Sequence, residues 1–180
     1  MKKAFLQEIE VPEGIEIKKD GKILTVKGPE GEISREFNFG KAKYENKDGT
    51  ILISHPSSTK NNKRMINTIS AHIRNMIKGT KNKFEYKLKV CSSHFPINLE
   101  VKEDIVLIKN FLGEKTPRKC YIPKGAEIQV NKDIVTIKAI DKEIAGQAAA
   151  NFESATKVRN RDRRVFQDGI YIINKDGKEI

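Results

Sequence analysis

Polar and apolar residues alternate along most of this chain with the two-residue period of strands laid on a core. Ile15-Glu16-Ile17 and Ile23-Leu24-Thr25-Val26-Lys27 flank Lys18-Lys19-Asp20-Gly21-Lys22. The Asp-Gly pair supplies a turn, so the segment reads as a β-hairpin. Ala42-Lys43-Tyr44-Glu45 and Thr50-Ile51-Leu52-Ile53, around Asn46-Lys47-Asp48-Gly49, read as a second. After Pro56 the period changes. Met65, Ile69, Ile73, Met76 and Ile77 recur at helical spacing, with Ser57 or Ser58 to cap the helix and Gly79 to end it.

The pattern then repeats. Leu99-Glu100-Val101-Lys102-Glu103-Asp104 aligns with Ile15–Asp20 at an offset of 84. Dropping two turn residues continues the match, with Ile105–Lys109 on Ile23–Lys27 and Gly113-Glu114 on Gly31-Glu32. Asn131-Lys132-Asp133, between strands at 126–130 and 134–138, matches Asn46-Lys47-Asp48. A second helix follows, with Ile144, Ala148, Phe152, Ala155 and Val158 along one face. A rival register at offset 111 aligns residues 11–33 with 122–144 at nine identities in 23 positions, but it leaves the first helix without a counterpart before the chain ends. The offset near 84 maps hairpin on hairpin and helix on helix. The expected fold is α+β, two tandem copies of a small antiparallel-sheet domain, each covered by one helix, over residues 1–81 and 82–180.

Charge sharpens this picture. Lys and Arg number 35 against 24 Asp and Glu, a net charge of +11. Residues 1–59 and 90–156 are each neutral overall, whereas 60–89 carry +8 and 157–180 carry +3. An excess confined to two stretches points to a polyanionic partner rather than to a uniformly soluble surface. The densest run, Lys157-Val158-Arg159-Asn160-Arg161-Asp162-Arg163-Arg164, holds five cations and one anion, and Arg's planar fork suits phosphate. No apolar run exceeds four residues, against roughly 20 for a membrane span. The opening Met1–Glu8 turns polar after two apolar residues, so a cytoplasmic protein with no membrane partner is expected.

Candidate chemistry is sparse. Gly28-Pro29-Glu30-Gly31 has the spacing of a backbone-clamping RNA loop, yet it joins two strands and carries acids, so it reads as a turn. Cys91, His94 and Cys120 fall short of a structural zinc site. The histidines His55, His72 and His94 lie scattered, with no nucleophile–base context around either cysteine. No catalytic residue, metal or cofactor is expected. The loop from Lys109 to Arg118 admits two readings: a turn anchored in the core by Phe111 and Leu112, or a platform presenting Lys115 and Arg118 to phosphate. The small residues Ala145–Ala150 read as a face packed on the helix's own sheet.

Several segments carry a family resemblance. Val135–Ala149 resembles the hallmark segment of the universal large-subunit ribosomal protein six family, and His72–Gly79 its first-domain helix. Asn110–Lys115 and Arg161–Tyr171 are similar to its archaeal and eukaryotic branch; of the bacterial branch's C-terminal motif only Gly169-Ile170 survives in kind. The resemblance implies two copies of one α+β domain and a structural role without catalysis. It further implies binding of large-subunit rRNA, chiefly by the second domain, near the stalk base and the sarcin–ricin region. The partners implied are that rRNA, neighbouring ribosomal proteins and, indirectly, elongation factors. Carried onto this chain, the RNA-binding residues are Lys109, Lys115, Arg118, Lys157, Arg159, Arg161, Arg163 and Arg164. The competing readings are a nucleic-acid-processing enzyme with unrecognised catalytic groups and an adaptor using its sheet edges.

Overall fold

Alternating runs pair into four antiparallel sheets, and the two helical runs each cover one core. The computed structural model describes residues 5–47, 49–162 and 164–180; Asp48 of the second hairpin and Arg163 of the Arg-rich run lie outside them. The chain divides into two compact units, with the boundary between Lys83 and Phe84.

In the first unit, β1 (Phe5–Glu10), β6 (Thr50–His55) and β5 (Lys43–Lys47) form one sheet in the order β1-β6-β5. The meander β2 (Glu16–Asp20), β3 (Ile23–Gly28) and β4 (Gly31–Glu36) forms another. α1 (Lys60–Lys81) lies over both, its Ile66, Ile69, Ile73, Met76 and Ile77 buried with Ile9, Leu24, Val26, Ile51 and Ile53.

The helix termini differ from the sequence expectation. The N-cap is Thr59, whose hydroxyl accepts from the Asn62 amide at 3.3 Å, rather than Ser57 or Ser58. Ser57 is already engaged: its amide donates to His55 Nδ1, and its hydroxyl and carbonyl accept from the Asn62 side chain. Gly79 does not end the helix, which runs on to Lys81. Gly79 and Thr80 are buried, and the Thr80 carbonyl accepts from Glu30 N at 3.0 Å. A Cβ at Gly28 would lie 2.7 Å from that carbonyl oxygen. The missing side chain at Gly28 therefore lets the last helical turn sit on the β3–β4 turn.

The second unit repeats the order of elements. β7 (Phe84–Cys91), β12 (Ile134–Ala139) and β11 (Ala126–Asn131) repeat β1-β6-β5, and β8 (Asn98–Lys102), β9 (Ile105–Lys109) and β10 (Arg118–Tyr121) repeat the meander. α2 (Lys142–Ala155) follows, as α1 does, with Asp141 as its N-cap. Two strands are added: β13 (Gly169–Lys175) pairs with the free edge of β7, and β14 (Lys178–Glu179) with β13. The buried face of α2 is Ala145, Ala148, Ala149 and Phe152. Ile144 is only half-buried, and Val158, though buried, lies beyond the helix end. The alanines let the helix approach its sheet closely, so the small-residue face is used for packing.

Candidate nucleic-acid interface

The loop after β9 is built from the core outward. Phe111 is fully buried, worth about 2–3 kcal/mol of apolar transfer, and starts a single 3-10 turn over Phe111–Gly113. Leu112, at φ 51°, holds a backbone conformation uncommon for a non-glycine residue, fixed by packing against the same core. The loop is thus a core-anchored turn, and its tip leaves Lys115 exposed.

Arg118 is held by contacts within the protein. Its guanidinium lies 4.2 Å from the Phe111 ring centroid. Nε and Nη2 donate to the Glu114 carboxylate, and Nη1 donates to the carbonyls of Ala155 at 2.9 Å and Lys157 at 3.2 Å. A cation capping the last carbonyls of α2 complements the negative end of that helix. Arg118 thus ties loop 109–118 to segment 155–157. Arg118's hydrogen bonds hold the Glu114 carboxyl below its ordinary range, and the charge of Arg161 adds to this. Lys109 is also paired: its Nζ lies 2.7 Å from Glu100, whose carboxyl is lowered chiefly by that contact.

Lys157, Arg159 and Arg161 follow α2 and are exposed, and residues 157–162 line a shallow, solvent-open hollow. Arg164 makes a bidentate pair with Asp162, 2.8 Å from Nη2 to Oδ2, so its charge is partly matched within the segment. That pair is 91% exposed on the Arg164 side and therefore weak, which leaves the guanidinium within reach of a phosphate. Arg163 lies outside the described residues. Fold and packing so bring together two segments some forty positions apart, with Lys115 exposed on one and Lys157, Arg159 and Arg161 exposed on the other.

Sequence reasoning missed the groups beneath this surface. Asp168 is 1% exposed and accepts from Ser93 N at 2.7 Å, His94 N at 3.0 Å and His94 Nδ1 at 2.6 Å. Burial alone would raise the Asp168 carboxyl; the hydrogen bonds from His94 and Ser93 outweigh it and hold the carboxyl below its usual range. Nothing in sequence spacing couples residues 74 apart. The pairing of β13 with β7, Gly169 opposite Cys91, does. Burial pushes the Cys120 thiol up to about 12, so it is no thiolate nucleophile near neutrality. Among the described residues no group of three or more His, Cys, Asp or Glu is placed to hold a metal ion.

The longer basic stretch is organised differently. Arg74 reaches Gln7 and the Glu8 carbonyl, Lys83 pairs with Glu30, and Lys87 with Glu85. Lys60, Lys63 and Arg64 are exposed on the first two turns of α1.

Comparison with known proteins gives a consistent result. The family model described as ribosomal protein L6 matches residues 11–83 and again 95–169. The large ribosomal subunit protein uL6 of Methanobrevibacter smithii is 44% identical over 173 residues, covering 96% of this chain and 97% of that protein. Its counterpart in Methanothrix thermoacetophila is 42% identical, with 97% and 99% covered. That of Aeropyrum pernix is 41% identical, with 95% and 94% covered.

Proposed function

The chain belongs to the ribosomal protein L6 family, and from that premise we propose that it is a structural constituent of the large ribosomal subunit. In this reading its second unit binds large-subunit rRNA near the stalk base and the factor-binding, sarcin–ricin region. Neighbouring ribosomal proteins are its other partners, and elongation factors meet it indirectly. Its role is architectural rather than catalytic.

The observation that supports this reading most directly is the joining of loop 109–118 to segment 157–164 by Arg118. Exposed cations on a surface fixed by a core-anchored arginine suit recognition of a phosphate backbone, whose contacts position a protein without reading sequence. Arg159 and Arg161 supply planar forks, and Lys115 and Lys157 supply point charges. Lys109 and Arg118 act as supports, and Arg163 and Arg164 extend the same run.

Binding of the full chain to large-subunit rRNA across a salt series tests the proposal. Each neutralised phosphate adds about −0.7 to −0.9 to the log–log slope, so four contacts give roughly −3 to −4. An affinity that barely changes over a fourfold rise in salt overturns a phosphate-led interface. Footprinting of the rRNA with and without the protein then locates the site. Protection confined to regions away from the stalk base overturns the location.

A further inference from the structure

Behind the Arg-rich run lies an ordered column of side chains. Asp168, buried, fixes the ring of His94 through Nδ1 at 2.6 Å and fixes its backbone through the amides of Ser93 and His94. The His94 ring stacks on Phe166, with centroids 4.8 Å apart and planes inclined by 20°. The guanidinium of Arg161 lies over the same Phe166 ring, 4.7 Å from its centroid. The backbone holds this order. Amides of Val165 and Phe166 donate to the Asp162 carbonyl, closing a turn that sets Phe166 beside Arg161.

We propose that His94 and Asp168 are positioning residues for Arg161, holding its guanidinium ready on the RNA-facing surface before RNA arrives. The proposal rests on the rRNA-binding reading above and assigns roles to residues that reading does not use. An arginine on an exposed segment samples many rotamers, and fixing it on binding costs side-chain entropy. A guanidinium already stacked on an aromatic face has lost much of that freedom on folding, so less is lost on association. Phe166 alone could not serve, because it stands on an irregular segment between α2 and β13. His94 supplies a second ring anchored from another part of the chain, and Asp168, next to the first residue of β13, ties both to the paired β7–β13 edge. The imidazole is here a spacer of defined plane, oriented by its carboxylate. It is neither a metal ligand nor a base.

A double-mutant cycle on the full chain tests this, with large-subunit rRNA as the probe and a salt series as the readout. Arg161→Ala should weaken binding about five- to tenfold, within the net range for a single ordinary hydrogen-bonded contact, and flatten the log–log slope by about 0.9. His94→Ala should weaken binding about threefold and shift the slope in the same direction. In the Arg161→Ala background it should add nothing. His94→Phe, which keeps a ring to stack on Phe166 but loses the Asp168 contact that sets its plane, should recover only part of the loss. In the free protein the Arg161 Nε–Hε order parameter should fall in His94→Ala and fall by less in His94→Phe.

A His94→Ala effect that persists undiminished without Arg161 makes His94 a general structural residue and overturns the proposal. So does an Arg161 side chain equally mobile in the wild type and His94→Ala. Should His94→Ala fail to fold, His94→Phe and Asp168→Asn decide by the same cycle: each should weaken binding and lower the order parameter, and wild-type values in both overturn the proposal. A wild-type chain that ignores rRNA while the order parameter behaves as stated overturns the binding reading, and with it the RNA-facing role assigned to the column.

Discussion

A guanidinium offers five N–H donors, and at Arg118 four hydrogen bonds are made inside the protein. Removing it leaves the Ala155 carbonyl and the Glu114 carboxylate without their partner and uncovers one face of Phe111. We expect Arg118→Ala to destabilise the second unit by about 2 kcal/mol, the range for losing hydrogen bonds to a charged group, as measured by the urea midpoint. Arg118→Lys should recover less than half, because an ammonium cannot reproduce the fork that spans Glu114 and two carbonyls. The rRNA salt slope of Arg118→Lys should match the wild type. A neutral effect on stability, combined with a flatter slope in Arg118→Ala, would place this side chain on the RNA after all. From sequence, Arg118 and Lys115 are indistinguishable: both are cations in a glycine-bearing loop. What separates them is the end of α2, whose Ala155 carbonyl accepts from Arg118, a fact of tertiary packing that no local pattern encodes.

At the scale of elements, α1 holds an electrostatic conflict. Its first turn contains no acidic residue, while Lys60, Lys63 and Arg64 face the positive end of the helix. Cations there are disfavoured by about 0.3–1 kcal/mol each, less at high salt. Lys60→Glu should therefore stabilise the first unit by about 0.5–1 kcal/mol at low ionic strength and progressively less as salt rises. Calorimetry of the full chain at two salt concentrations checks this; a destabilised first transition at low salt contradicts it. The hairpins and both helices were legible because alternation and helical periodicity are local signals. The cap of α1 was not, because Ser57, Ser58 and Thr59 all carry a hydroxyl, and only the folded backbone engages Ser57 with His55 and Asn62 and sets Thr59 to accept from the Asn62 amide. β7 alternates cleanly and was open to reading, yet its Lys87 and Lys89 draw attention as charge rather than as the outward half of a strand. β13 breaks its own alternation at the irregularity between Ile172 and Asn174, so its place beside β7 shows only in the sheet.

The whole molecule is a duplication whose halves have diverged in what they add. Each unit has its own apolar cluster, with twelve buried members in the first and seventeen in the second among the described residues. A fragment of residues 82–180 keeps β7 whole and therefore keeps the strand that pairs with both β12 and β13. We predict that it folds alone with one cooperative transition, since clusters of this size sustain small domains. The groups proposed to bind RNA all lie within it, as do Arg118, His94 and Asp168. It should therefore retain most of the rRNA affinity and nearly the full salt slope, while residues 1–81 should fold but bind more weakly and with a shallower slope. The first unit lacks any counterpart of the segment that follows α2, because α1 runs almost to the unit boundary at Lys83. Divergence after the second helix thus gives the asymmetry a cause: the added chain carries both the Arg-rich run and the strand that anchors it. If 82–180 is folded but loses the slope while 1–81 keeps it, the cations of α1 rather than those after α2 dominate binding. In that case local charge density in the C-terminal run does not locate the site.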